Sequence, residues 1–328
     1  MHYGDAMRHT EIGMSGLYPF RLVPWFRTRI WGFHDLAPWF DYKTDGEPIG
    51  EVWLTGEMCV AGTGPLAGHS LKDITAAHAR DMLGSAYGNG QFPLLIKVLF
   101  PKEKLSVQVH PDDAMAQKYG EPRGKTECWY ALDAHPGATV ALGIKAGVTS
   151  EQIRAGIESA TLEDLLEMVP VQKGDMLYVE AGTVHAMEPG VVVLETQQTS
   201  DLTYRMYDYG RPRELHLDKS FEALRLKTRA GKIPPRAVNG HFVLIDEKHF
   251  EIERWPLEAA KPASALTEST GGLQILFVTD GRIRISAEGG EPFTVKRCEI
   301  AVIPASSSGV RVEAESPSTV IRIQPHAV

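Results

Sequence analysis

Two stretches of the chain can be laid on each other without a gap. Val171–His185 (VQKGDMLYVEAGTVH) aligns with Val295–Gly309 (VKRCEIAVIPASSSG) at a constant offset of 124 residues. In each, a turn ending in an acidic residue leads into a short apolar strand, and the strand runs into small residues. A strand–turn unit recurring at this distance predicts two related β-barrels in one chain. From 241 onward the signal continues as short strands between turns: Phe242–Ile245, Phe250–Trp255, Leu273–Phe277, Arg282–Ala287, Phe293–Val295, Ile300–Ile303, Val310–Val312 and Val320–Ile323. The chain therefore reads as mainly β, with two jelly-roll-type barrels and a few short helices. Residues 1–230 form an N-terminal region with a helical insert at about 149–170, and 240–328 a smaller C-terminal barrel.

Helix starts are marked by caps. Ser70-Leu71-Lys72-Asp73 opens a helix with Leu71, Ile74 and His78 on one face, ending near Gly84. Thr149–Gln152 and Thr161–Asp164 cap two more, the second expected to run to Val169-Pro170, and Leu217–Leu224 is a fourth. Residues 1–16 are expected to fray, the aromatic-rich 17–40 segment to cover a sheet edge, and Lys227–Asn239 to be a connector.

The two copies of the repeat differ at one position of chemical weight, where His185 falls on Gly309. Upstream, Leu105-Ser-Val-Gln-Val-His110 alternates apolar and polar residues, so Gln108 and His110 share one face of a strand. Gly124-Lys125-Thr126-Glu127 opens the next apolar run, Cys128–Leu132. Gln108, His110, Glu127 and His185 together offer an amide oxygen, two imidazoles and a carboxylate, a set that suits Zn²⁺, Mn²⁺ or Fe²⁺. No counterpart of Gln108-x-His110 follows in the second half, so one barrel is expected to hold metal and the other not.

Composition narrows the partner. The net charge is −8, which argues against nucleic acid, and no stretch is apolar enough to cross a membrane. The N-terminus lacks an apolar signal core, and three well-separated cysteines fit a reducing compartment, so the cytoplasm is expected. Against this acidic background Lys97 sits inside the apolar run Phe92–Phe100, where a charge is costly unless it faces a polar pocket. Arg205 lies in an aromatic-flanked strand pattern, Tyr204–Arg211, and Lys125, Arg211 and Glu195 fall near the proposed ligands. Cations around a metal site imply an anionic ligand, with a phosphate the natural choice. A carboxylate beside a polarised carbonyl is the layout for proton transfer at an adjacent carbon. Converting an aldose phosphate to a ketose phosphate needs those parts and no organic cofactor.

Five stretches in order, Phe92–Lys97 (FPLLIK), Leu105–Asp113 (LSVQVHPDD), Gly124–Tyr130 (GKTECWY), Ala181–Ala186 (AGTVHA) and Glu195–Arg211 (ETQQTSDLTYRMYDYGR), resemble type I mannose-6-phosphate isomerase, a zinc-dependent cupin family, in its short bacterial form. The resemblance implies zinc on Gln108, His110, Glu127 and His185. It implies Arg205 as catalytic arginine, with Glu195, Lys125 and Arg211 near the sugar phosphate. Glu195 and Lys125 are then expected to act with Arg205 in catalysis, and Arg211, with the pocket-facing Lys97, to bind substrate. The implied reaction interconverts mannose 6-phosphate and fructose 6-phosphate through a cis-enediol, in a monomer or homodimer. Two departures stand early in the chain, Phe33 after Trp31-Gly32 and Val52 after Gly50-Glu51, where the family often has glycine and serine. Two other readings compete with the isomerase. An Fe²⁺-dependent cupin dioxygenase would ordinarily show three histidines and a glutamate. A non-catalytic sugar-phosphate-binding cupin would bind without turnover. The proton carrier is left open among Glu195, a lysine and a water.

Overall fold

The computed structural model describes residues 17–85, 90–261, 263, 266 and 271–327. The expected fraying of 1–16 falls outside the described residues. The fold is mainly β and cupin-like, built from four antiparallel sheets arranged as two sandwiches. None of these sheets closes on itself, so the expected barrels are pairs of facing sheets rather than continuous hydrogen-bonded cylinders.

The first sandwich sets a seven-stranded sheet against a five-stranded one. The large sheet runs Gly231–Ile233, Met176–Val179, Glu127–Ala134, Val191–Gln198, Leu94–Leu99, Ile49–Thr55, Trp25–Phe33; the small one runs Tyr204–Tyr207, Val107–Val109, His185–Met187, Thr139–Ile144, Leu166–Pro170. Trp129, Ala131, Leu177 and Val193 from the large sheet and Val140, Leu142 and Met187 from the small one share a core. The second sandwich repeats the plan. An eight-stranded sheet that includes Phe250–Leu257, Ser318–Pro325, Gln274–Asp280 and Ile300–Ile303 faces a three-stranded one across Leu276, Val278, Ile283 and Val312. The two large sheets then pack back to back through Tyr130, Leu194, Ile96 and Val98 on one side and Ile275, Phe277, Ile321 and Ile323 on the other. Two-sided burial explains why these strands read as near-continuous apolar runs.

The repeat seen in sequence is also a repeat of geometry. Met176–Val179 and Ile300–Ile303 are strands of equal length at the same offset. Ahead of each, the residue at the matching position has positive φ, Gly174 (90°) and Cys298 (62°). The next residue's carboxylate then accepts the backbone N–H three positions back, Asp175 from Gln172 at 2.7 Å and Glu299 from Lys296 at 2.8 Å. Chain segments cross between the sandwiches: Phe20–Val23 pairs with Ile300–Ile303, while Val60–Ala61 extends the same sheet.

Several local expectations need correction. The helix expected from Thr161 to Pro170 is one 3₁₀ turn, Leu162–Leu165, followed by a strand, Leu166–Pro170. That strand pairs with Thr139–Ile144, whose open edge rewards extended backbone more than a short helix ending in Val-Pro could gain. The Ser70 helix is broken at His78 into Leu71–Ala77 and Ala79–Leu83. The strand pattern 204–211 stops at Tyr207, because Tyr209 and Gly210 both take positive φ. The 227–239 connector contains two strands, Gly231–Ile233 in the first sandwich and Arg236–Val238 in the second. The aromatic segment does more than cover an edge. Trp25–Phe33 is itself the edge strand, with Trp25 edge-on to Trp53 and Phe26 stacked on Tyr42.

Gly32 is where this edge strand crosses closest. A Cβ there would fall 2.2 Å from the Ile49 carbonyl carbon. Gly32→Ala is therefore expected to cost about 2–3 kcal/mol by forcing backbone apart, measured by urea unfolding; a cost under about 0.5 kcal/mol would contradict the packing.

Candidate metal centre

The polar residues of the first sandwich line up in rows across its strands. In the large sheet Trp53, Lys97, Glu195 and Trp129 are successive register partners. One step along, Leu95 pairs with Gln197 and Gln197 with Glu127. In the small sheet Arg205 pairs with Gln108, and Gln108 with His185. These rows face each other across the sandwich, so Glu127 meets His185, with Gln108 on the far side of that imidazole's Nε2 contact. His110, one residue past its strand, completes the group.

His110, Glu127 and His185 are each 1% exposed, and one ligand atom from each lies within 4.8 Å of the others. His110 Nε2 is 3.6 Å from Glu127 Oε2, and His185 Nε2 is 3.6 Å from Glu127 Oε1. The two imidazole centroids are 4.7 Å apart. Donors about 2.1 Å from a shared tetrahedral ion sit roughly 3.4 Å from each other, so these separations suit a divalent cation. The hydrogen bonding points the same way. His185 Nδ1 lies 3.0 Å from the Thr183 carbonyl, which can only accept, so Nδ1 keeps its proton and Nε2 offers a lone pair to the site. His110 Nε2 is buried with no hydrogen-bond partner, and Glu127 Oε2, buried beside it, makes no hydrogen bond and has the Lys125 ammonium 3.1 Å away. A buried polar atom without a partner is costly, and a cation between the two would satisfy the His110 nitrogen. Gln108 Nε2 is 3.2 Å from His185 Nε2; turning the amide brings its oxygen into that place.

Burial, with Lys125 and His185 nearby, holds His110 well below its ordinary imidazole range, and burial brings His185 down to about 4. Both rings are thus neutral and ready to bind metal at pH 7. An unfolded histidine titrates near 6.5, so metal-stripped protein keeps this stability above pH 6.5 and loses it as the pH falls toward 4. His185 alone predicts a loss of about 2 kcal/mol between pH 6.5 and 5. Glu195, raised by burial and by Glu127, works in the opposite direction and offsets part of this. Urea unfolding of the stripped protein at the two pH values checks the sign; equal or greater stability at pH 5 would contradict it.

Beside this cluster, Lys97 is 3% exposed, with Nζ 3.1 Å from Glu195 Oε1, 3.9 Å from Asp201 Oδ1 and 5.3 Å from the Trp53 ring centre. Burial would lower its pKa, but Glu195, Glu51, Asp201 and Glu127 outweigh that and raise it. Lys125 Nζ is 3.1 Å from Glu127 Oε2. A cavity of about 360 Å³ is walled by Lys97, Lys125, Glu195, Gln108 and Arg205, and by residues that the sequence did not single out: Arg29, Glu51, Ser106, Asp201 and Arg213. Arg205 keeps a buried Nε–H without a partner, while its Nη1 donates to the Glu214 carbonyl at 2.8 Å. Arg211 does not line this cavity. It reaches Asp208 at 2.8 Å and the Lys104 carbonyl at 2.9 Å, and Arg213 shares the same Asp208 through two 2.6 Å hydrogen bonds. A second, more apolar hollow of about 550 Å³, lined by Trp25, Trp53 and Phe92, meets the first at Asp201.

Glu51 could have been found from sequence. Glu-x-Trp occurs at 51–53, 127–129 and 253–255. In each case the indole N–H donates to the glutamate two residues back, at 2.6, 3.1 and 2.7 Å. Glu51 also takes two bonds from Arg29, at 2.8 and 3.0 Å. Val52, one of the two early departures, is fully buried in the core between the sandwiches, away from the cavity that Glu51 faces.

A cupin-like sandwich with a buried His–Glu–His cluster beside a cation-lined cavity defines a metal-site cupin of the small-molecule enzyme class. The comparisons narrow this further. A family profile described as "Phosphomannose isomerase type I, catalytic domain" matches residues 3–148. The mannose-6-phosphate isomerase of Streptococcus mutans is 33% identical over 299 residues, 87% of this chain and 92% of that protein. Mannose-6-phosphate isomerase ManA of Bacillus subtilis is 36% identical over 84% of this chain and 90% of its own length. The crystal structure of the Bacillus subtilis mannose 6-phosphate isomerase superposes with a TM-score of 0.83 at 30% identity, covering 94% of this chain and 99% of that one. The chain belongs to the type I phosphomannose isomerase family.

Proposed function

We propose that the chain interconverts mannose 6-phosphate and fructose 6-phosphate through a cis-enediol, with one Zn²⁺ held by His110, Glu127, His185 and Gln108. Mn²⁺ or Fe²⁺ would suit the same donors. A divalent ion there supplies Lewis acidity to the sugar oxygens at C1 and C2. The chain's own groups do the rest. Glu195 is buried, paired with Lys97 and raised above the usual carboxylate range, which fits a group that passes a proton between neighbouring carbons. Lys125 sits beside Glu127 at the cavity wall and holds developing negative charge. Arg205, with its unpartnered Nε–H, acts as catalytic arginine, and Lys97 contacts the substrate from the floor. Arg211 serves as outer contact for the phosphate, sharing Asp208 with Arg213 on the wall. The metal site belongs to the N-terminal unit, expected as 1–230 and extended by the strand Gly231–Ile233, and the unit without ligands is the C-terminal one, expected as 240–328 and extended by Arg236–Val238, Phe20–Val23 and Val60–Ala61. The three free, buried thiols fit a cytoplasmic enzyme.

The observation that carries the reading is the buried three-residue cluster lying next to a cavity with five cations, which touches the cluster through Gln108 and Lys125. A coupled assay of mannose 6-phosphate against other aldose phosphates, before and after chelation, tests it. Turnover should vanish with the metal and return with Zn²⁺. Undiminished turnover in metal-free protein would end the proposal, and metal-dependent oxygen uptake instead would favour the dioxygenase.

A further inference from the structure

Asp113 stands where the segments bearing His110 and Glu127 meet, and nothing above gives it a task. His110-Pro111-Asp112 leads into the short helix Asp113–Lys118, and Gly124-Lys125-Thr126 leads into the strand that begins at Glu127. Asp113 Oδ1 accepts from the Gly124 N–H at 3.0 Å and from Gln198 Nε2 at 2.8 Å. Gln198 in turn accepts the Thr126 N–H on Oε1 at 2.9 Å and donates its own N–H to the Thr126 carbonyl at 3.1 Å. The Lys125 N–H donates to the Pro111 carbonyl at 2.9 Å. The result is a closed ring of hydrogen bonds through both ligand-bearing segments and the end of the strand that carries Glu195. Lys248, from the turn between strands His241–Glu247 and Phe250–Leu257 of the second sandwich, comes within 3.4 Å of Asp113 Oδ2.

Two observations argue against a plain helix-capping role. The cap is already made by Asp112, whose side chain accepts from the Met115 N–H at 2.9 Å. The approach at Gly124 is also very close, since a Cβ there would fall 2.3 Å from the Asp112 carbonyl carbon. The two segments are thus pressed together at the residue that Asp113 binds.

We propose that Asp113 is a positioning residue of the metal centre, which sets the spacing between His110 and Glu127 with Gln198 as its relay, and that Lys248 ties this ring to the second sandwich. The inference rests on the metal reading given above. Groups that hold metal ligands in place without touching the metal commonly change affinity by about 10- to 100-fold when removed.

The test is Zn²⁺ affinity by chelator competition on purified full-length protein, alongside unfolding of each metal-stripped variant. Asp113→Ala should weaken Zn²⁺ about tenfold. Gln198→Ala should do the same, and the double variant should be little worse than either alone, because both interrupt one ring. Asp113→Asn keeps an oxygen for both donors and should stay within about threefold of wild type. Gln198→Glu sets a carboxylate against Asp113 and should weaken Zn²⁺ more than Gln198→Ala does. If Asp113→Ala does not fold, the two Gln198 variants and Asp113→Asn decide the matter. Wild-type Zn²⁺ affinity in the Gln198 variants, or in Asp113→Ala with only its unfolding midpoint lowered, would overturn the proposal. An Asp113→Asn variant as weak as Asp113→Ala would overturn it too. Wild-type protein that binds no Zn²⁺ would instead sink the metal reading itself.

Discussion

Replacing His110 or His185 with alanine is expected to lower mannose 6-phosphate isomerisation by at least about a thousandfold, because each removes a donor from a site with no spare one. Among the described residues, His110, Glu127 and His185 are the sole group of three or more His, Cys, Asp or Glu side chains close enough to share an ion. The nearest other donor, the Gln108 amide, is neutral and binds more weakly than a carboxylate or imidazole. The loss should come with loss of bound metal and not with unfolding, since alanine at either position removes a neutral ring from a site whose stability depends on the ion. Metal content per chain and steady-state kinetics on the same preparation check this. A His185→Ala enzyme within tenfold of wild type, still carrying its ion, would show that the cluster is not the catalytic centre.

The second large effect is on stability. Lys97→Met should destabilise the protein by about 3–5 kcal/mol at neutral pH, because it breaks a buried ion pair from one side only. Glu195 and Glu51 are 4% and 8% exposed, and both depend electrostatically on Lys97. Without that cation Glu195 must take a proton to stay buried. Its folded pKa would rise further above the unfolded value, so the penalty should shrink as the pH falls and Glu195 becomes neutral in both states. Urea unfolding at pH 7.5 and 5.5 tests both parts. A smaller cost at the higher pH would contradict the sign, and a cost under about 1 kcal/mol at both would show that the pair is solvated rather than buried.

The second sandwich helps to explain this pair. Lys97 and Glu195 are register partners on adjacent strands of the first large sheet. Glu253 and Arg322 are register partners on adjacent strands of the second, with acid and base exchanged between the strands. There the Arg322 guanidinium meets Glu253 Oε2 at 2.7 and 2.6 Å, and Trp255 donates to the same oxygen at 2.7 Å. The duplicated framework thus retains a buried ion pair at this depth in both halves. The second half sets a single imidazole beside it, His241 with Nε2 3.4 Å from Glu253 Oε1, and among the described residues only the first half gathers two imidazoles and a carboxylate close enough to share an ion. His185 has Gly309 as its counterpart, and the turn after strand Ile300–Ile303 closes on Glu288 instead of a metal ligand.

The sequence by itself determined the things that depend on local periodicity and turn chemistry. Alternation placed Gln108 on one face of its strand, with His110 next to it. The capped starts at Ser70 and Thr149 produced helices where expected, the latter with a full capping box to Gln152. The offset between Gly174 and Cys298 marked two turns of one geometry, because a left-handed residue followed by an acid closes the same hydrogen bond in each. A lysine within an apolar run at Lys97 had to face something polar, since burying it alone costs too much. Tertiary structure decided what depends on pairing between distant strands. Leu166–Pro170 became a strand because Thr139–Ile144 left an edge beside it, a fact absent from its own residues. Arg213 reached the cavity wall and Arg211 did not, because the turn at Tyr209-Gly210 redirected a strand that sequence would have continued. Arg29 joined the site because its edge strand pairs with Ile49–Thr55, which sets its guanidinium on Glu51. Local sequence encodes which face a side chain takes; which faces meet is set by packing energy summed over the whole chain.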